Sequence, residues 1–148
     1  MTAQDNAAFV RDIHSAWNRR DFDHIASVTS DDCKWVAIPT GQTFSGKEGL
    51  RQYSLGWASA FPDGQIQETN LIAGDDGAVI EFVGRGTHTG TLSGPAGDIP
   101  PTGRSVEMSF CEIYRIKEGK VVGGSIYFDM VTLLGQLGMM RQPAAATA

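Results

Sequence analysis

The apolar positions of this chain change period once, from helical to alternating, near residue 64. Phe9, Ile13, Ala16 and Trp17 fall at i, i+4, i+7 and i+8, one face of a helix. Asp5 is placed to cap its start. After a polar turn at 18–21, Phe22, Ile25, Ala26 and Val28 predict a shorter second helix that ends near Ser30. Residues 34–39, with Trp35, Val36 and Ile38, read as a strand, and 43–46 as a turn. Leu50, Tyr53, Trp57 and Phe61 return to helical spacing and predict a third helix over 46–60, with Ser45 and Glu48 in capping-box form. Pro62, Asp63 and Gly64 end it abruptly.

Beyond Gly64 the period is two. Residues 65–73 and 78–91 predict strands joined at Gly74-Asp75-Asp76-Gly77, a hairpin signal. Residues 104–117 and 120–129 predict a second hairpin around Glu118-Gly119, and the Gly- and Pro-rich stretch 93–103 reads as a loop. Residues 132–137 suggest a short helical turn. One domain is expected over 1–142, with 143–148 a frayed tail. Helices first and antiparallel strands after indicate an α+β fold. Four long strands with one apolar face need a cover, which the amphipathic helices can supply. A twisted sheet covered this way curls into a cone and keeps a cavity at its open end. Gly84, Gly86, Gly123 and Gly124 sit inside strand patterns, where glycine marks a bend or a close approach.

Composition narrows the function. The 148 residues suit a single domain with a sizeable core. The net charge is −5, the acids are scattered and there is no basic stripe, so neither nucleic acid nor an anionic membrane is an expected partner. No stretch approaches a membrane span and residues 1–20 do not form a signal peptide, so a cytoplasmic protein is expected. Cys33 and Cys111 lie far apart and read as free, buried thiols. His14, His24 and His88 show no ligand spacing, so no metal and no cofactor are expected. A phosphate-binding glycine loop and a Gly-x-Ser-x-Gly nucleophile elbow are both absent.

Five segments carry a resemblance. They are Phe61-Pro62-Asp63; Gly86-Thr87-His88-Thr89-Gly90; Pro100-Pro101-Thr102-Gly103-Arg104; Tyr114-Arg115-Ile116 with Gly119-Lys120; and Tyr127-Phe128-Asp129 followed by Gln136-Leu137-Gly138. Together they resemble the SnoaL-like polyketide cyclase group, or ester cyclases, of the nuclear transport factor 2-like superfamily, over about residues 5–140. The resemblance implies a cone-shaped, cystatin-like α+β fold. It also implies cofactor-free ring closure of a polyketide by intramolecular aldol condensation, with an Asp on the last strand as acid and base. Asp129 occupies the matching position. The same fold hosts isomerases, hydrolases and non-catalytic binders.

Asp129 is therefore the first candidate. An aldol cyclase must take a proton from carbon beside a carbonyl and return one to the new alkoxide. One carboxyl group does both if burial lifts its pKa above the usual ~3.9. Alternation puts Asp129 on one face with Tyr127 and Ser125. The other reading is that Asp129 caps the C-terminal helical turn; the resemblance favours the first. His88 either polarises a carbonyl or sits hydrogen-bonded at the rim. His14 and His24 read as solvated.

Glu112 shares a face with Phe110 and Tyr114 and is either a second pocket acid or half of an ion pair with Arg85 or Arg115, the ion pair being favoured. Glu81 and Arg85 are expected to pair on the outer surface. Trp17, Trp35, Tyr53, Trp57, Phe82, Phe110 and Tyr127 are either plain core or the walls of a pocket for a small apolar or aromatic molecule. The expectation is a cofactor-free enzyme acting on an apolar carbonyl compound; the alternative is a binder that leaves its ligand unchanged. The outer sheet face is expected to be covered by a homodimer.

Overall fold

The computed structural model describes residues 1–140, and the expected frayed tail lies outside the described residues. Helix α1 spans Ala3–Asn18. Its cap is Thr2 rather than Asp5: the Thr2 hydroxyl accepts from the Asp5 amide while the Asp5 carboxylate accepts from the Thr2 amide, a capping box. Val10, Ile13 and Ala16 are buried beneath it. The helix ends at Arg20, which takes φ 62°, the left-handed conformation glycine usually supplies. Side-chain contacts offset that strain. The guanidinium lies 4.4 Å over the Trp17 ring and donates to the carbonyls of Pro62 and Gly64, tying the helix end to a distant turn.

Asp21 caps a short α2, Phe22–Ser27. Helix α3, Gly46–Ala60, has the expected bounds. Ser45 does not cap it, because Ser45 closes a strand and its hydroxyl instead accepts from Lys34 at 2.9 Å.

The strands are β1 Thr29–Ala37, β2 Gln42–Ser45, β3 Gln65–Gly74, β4 Gly77–Thr87, β5 Ser105–Lys117 and β6 Lys120–Phe128, followed by helix α4, Met130–Gln136. They form one open sheet in the order β2-β1-β6-β5-β4-β3. Two features differ from expectation. Residues 42–45 are an edge strand antiparallel to β1, not a turn. The β1–β6 pair is parallel, so the sheet is not antiparallel throughout. A whole helix and four strands separate these two in sequence, so no tight turn forces them to run in opposite directions.

Helix α1 packs on β3 and β4, and α3 packs on β1, enclosing the core between helices and sheet. Trp35, 1% exposed, lies flat against Gly124. A Cβ at Gly124 would sit 2.6 Å from the Trp35 ring and 2.2 Å from the Ile113 carbonyl oxygen, so this strand position accepts only glycine. A second cluster gathers Leu133 of α4 and Leu137, which caps its end, with Phe61, Val106 and Met108. Each large apolar side chain buried this way contributes about 1.5–3 kcal/mol.

Across the outer face, Val36, Ser125, Ile113, Val79 and Ile72 lie in one register row. Cys33 is buried, Cys111 half-buried, and both are free thiols. No described helix is long and apolar enough to cross a membrane.

Candidate functional site

Alternation in β4 and β5 aims Phe82 and Gly84, with Phe110, Glu112 and Tyr114, at the covering helices. Helix α1 answers with Ile13, His14 and Trp17, and α3 with Leu50, Tyr53, Ser54 and Trp57. Between the layers is a cavity of about 90 Å³. Phe82 and Phe110 stack at 5.1 Å and 7°, a flat wall suited to a planar molecule. That wall needs Gly84, where a Cβ would meet the Phe110 ring at 2.9 Å.

One acid interrupts the mostly apolar lining. Glu112, 5% exposed, is the sole carboxylate on the wall among the described residues. Its Oε1 lies 2.8 Å from His14 Nε2 and 3.0 Å from the Tyr114 hydroxyl, which donates to it. Both contacts fall on the same oxygen, leaving Oε2 without a protein partner among the described residues. The His14 ring stands edge-on to Phe82 at 4.7 Å. Burial, and then the charge of Glu112, push the Tyr114 and Tyr53 hydroxyls well above the ordinary tyrosine range. Both phenols therefore keep their protons, and Tyr114 donates its own to Glu112.

His14 is buried rather than solvated. The signal was present in the helix: Val10, His14 and Trp17 fall at i, i+4 and i+7, one residue round from the face built on Phe9. Glu112 is paired, but with His14 and not with Arg85 or Arg115. Arg85 instead bonds Glu107 at 3.1 Å and Gln67 at 3.1 Å, and Glu81 accepts from Asn70 rather than Arg85.

Asp129 does not enter the cavity. It is exposed at the start of α4, where its carboxylate accepts from the Val131 amide (2.9 Å), the Thr132 amide (3.3 Å) and the Thr132 hydroxyl (3.0 Å). These bonds, the Thr132 amide foremost, hold its pKa below the usual aspartate value, opposite to the expected rise. Tyr127, 42% exposed, lies on the same outer face of β6, while Ile126 points inward.

His88 is fully buried yet off the cavity wall, 5.4 Å from the Phe61 ring. The Thr102 amide donates to its Nδ1 at 3.2 Å, which places the imidazole proton on Nε2. Nε2 has no partner among the described residues, and burial lowers the pKa of the ring. The remaining candidates, Trp17, Trp35, Tyr53, Trp57, Phe82, Phe110 and Glu112, do line the cavity. Among the described residues, no three His, Cys, Asp or Glu side chains are grouped to hold a metal ion.

The profile of the SnoaL-like polyketide cyclase family matches residues 7–137. This chain belongs to that family. Among solved structures, the SnoaL-like chain is similar to AclR of Streptomyces galilaeus, described as a candidate hydroxylase. The identity is 26% and the TM-score 0.80, over 97% of this chain and 91% of that one. A SnoaL-like protein from Jannaschia sp. CCS1 is 16% identical, with a TM-score of 0.82 over 95% and 96% of the two chains. IdmH of Streptomyces antibioticus, described as a candidate polyketide cyclase, is 23% identical, with a TM-score of 0.73 over 90% and 98%. The last two likenesses establish the fold alone. No curated protein matches the SnoaL-like chain.

Proposed function

We propose that this SnoaL-like chain moves a proton on a small, flat, apolar carbonyl compound, with Glu112 as the acid and base. The observation that carries the reading is Glu112 itself: one carboxylate on an apolar wall, gripped on Oε1 by two donors, with Oε2 unpaired. In the forward step Oε2 takes a proton from the carbon beside the carbonyl, and the C–H electron pair moves into the enolate. His14 and Tyr114 keep the carboxylate oriented and compensate its charge in a site with little water. The Tyr53 hydroxyl, on the same wall and held as a phenol, is available to donate to the enolate oxygen.

In the ring-closing version, the enolate carbon attacks a second carbonyl of the same molecule. The new alkoxide then takes the proton back from Glu112. The family supports that version, and isomerisation needs the same groups with the proton returned to carbon instead. Asp129 has no part in this reading.

The test needs no natural substrate. The α-protons of 2-tetralone, a planar apolar ketone, exchange in D2O and are followed by proton NMR. The protein is expected to accelerate exchange, and Glu112→Gln to remove about 10²–10⁴-fold of the rate, the usual reach of general acid–base catalysis. No acceleration by the natural chain, or an equal rate in the variant, would end the proposal. For the outer sheet face we propose a homodimer covering the row from Val36 to Ile72. Sedimentation should then give twice the chain mass at micromolar concentration, and a monomer would refute it.

A further inference from the structure

Among the described residues, the cavity wall carries one negative charge and no positive charge that turns inward to balance it. Glu112 supplies the carboxylate, and its Oε2 has no protein partner among them. Arg85 borders the same space, but it follows Gly84 in β4, so alternation turns its side chain to the outer face. There Glu107 and Gln67 hold it, each at 3.1 Å. His14 donates to Glu112 from Nε2, which a neutral imidazole can do. A second proton, on Nδ1, would be a buried charged donor with no acceptor among the described residues, so the neutral ring is the favoured form.

Aromatic rings make up much of the remaining wall. Trp17 comes from α1, Tyr53 and Trp57 from α3, Trp35 from β1, Phe82 from β4 and Phe110 from β5. They do not form one stack. Trp35 stands at 56° to Tyr53 and Trp57 at 88° to Phe110, so faces and edges close on the space from several sides. The face of such a ring attracts a cation within ~6 Å of its centroid. In a space of about 90 Å³ no occupant lies far from a ring. The charge of Glu112 already acts across this space: after burial, it is what keeps the Tyr53 and Tyr114 protons in place.

We infer that the cavity is also a binding site for a small alkylammonium ion, which donates one N–H to Glu112 Oε2 and rests its alkyl groups on the aromatic walls. This goes beyond the proton-transfer reading, since it needs the carboxylate and the rings but no reaction. A neutral hydrocarbon of the same shape leaves Oε2 buried without a donor. An ammonium ion gives it a charged one, and the ring faces offset the water the ion leaves behind. With the carboxylate engaged, the ion competes with a carbonyl substrate.

Two probes of one shape test this by titration calorimetry at neutral pH: N,N-dimethylaminoethanol, which is protonated there, and 3-methylbutan-1-ol, in which C–H replaces N–H. The ammonium ion is expected to bind at least about tenfold tighter. Glu112→Gln, which keeps the shape of the side chain, should remove that preference. Biosynthetic replacement of tryptophan by a difluorotryptophan keeps the ring shape and drains its face of negative charge. It should weaken the ammonium ion severalfold and leave the alcohol unchanged. Trp17, Trp35 and Trp57 are the chain's three tryptophans, so the replacement acts only on this wall.

An ammonium ion that binds no tighter than the alcohol, or not at all, overturns the site. So does a preference that survives Glu112→Gln, or 2-tetralone exchange that a saturating ammonium ion fails to inhibit. The two readings fail separately. Exchange without the preference leaves the acid–base chemistry standing and removes the cation site. The preference without exchange removes the chemistry and leaves the cation site.

Discussion

Replacing Glu112 by alanine separates what the polar trio does for stability from what it does for chemistry. The substitution leaves the His14 Nε2–H and the Tyr114 hydroxyl without their acceptor, and both side chains are buried. An unsatisfied buried donor costs about 1–3 kcal/mol, so two cost about 2–6 kcal/mol. Water entering the adjoining cavity repairs part of that, which leaves about 3 kcal/mol. For a chain of this size each 1 kcal/mol moves Tm by about 2–4 °C, so the midpoint should fall by about 6–12 °C. Glu112→Gln keeps an acceptor and should cost only about 1 kcal/mol.

The decisive comparison is the triple change His14→Leu, Glu112→Leu and Tyr114→Phe. It removes donors and acceptor together, and apolar replacement of a buried polar group is often neutral or stabilising. The triple variant should therefore be more stable than Glu112→Ala, and near the natural chain. Urea unfolding followed through the fluorescence of Trp17, Trp35 and Trp57 gives all four stabilities. A cost below about 1 kcal/mol for Glu112→Ala, or a triple variant less stable than the single one, would refute the account of the trio as a functional group held at a cost in stability.

Three further outcomes follow from particular positions. Gly86→Val should cost about 1–3 kcal/mol in urea unfolding, because its Cβ would stand 3.1 Å from the Phe61 Cβ and 3.2 Å from the Gly64 Cα; an unchanged midpoint would contradict that packing. Gly124→Ala should cost at least the ~1–3 kcal/mol of an overpacked core, because the nearest atom is a backbone oxygen at 2.2 Å, and urea unfolding measures it. His88 has a folded pKa lowered by burial, so the unfolded chain binds its proton more readily. Its contribution is present above the unfolded value of ~6.5 and is lost as pH falls from there toward the folded value. Hydrogen exchange at the His88 and Gly103 amides should therefore rise beyond the intrinsic trend on acidification, and His88→Asn should remove the effect.

Most of the architecture was legible because punctuation and period agree. Pro62 to Gly64 stops α3, Gly74 to Gly77 turns the first hairpin, and Glu118-Gly119 turns the second. Strand β2 was not, since four residues carry too little alternation and their partner β1 is the only reason they are extended. Alternation placed Asp129 with Tyr127 correctly but could not say which face was inside. In β6 the neighbouring positions are Gly123, Gly124 and Ser125, so neither set is clearly apolar, and Ile126 decides the matter only once it packs. Glu112 was placed with Phe110 and Tyr114 by the same rule, in a strand where both other members are large and apolar. Its partner, His14, lies 98 residues away, a distance no local pattern spans.

The exchange of 2-tetralone α-protons, measured side by side in the natural chain, Glu112→Gln and Asp129→Asn, tests the central claim most directly. The account predicts that Glu112→Gln loses the acceleration and that Asp129→Asn, which keeps an oxygen to cap α4, retains it. Retained exchange in Glu112→Gln with loss in Asp129→Asn would contradict the account and return the chemistry to the last strand.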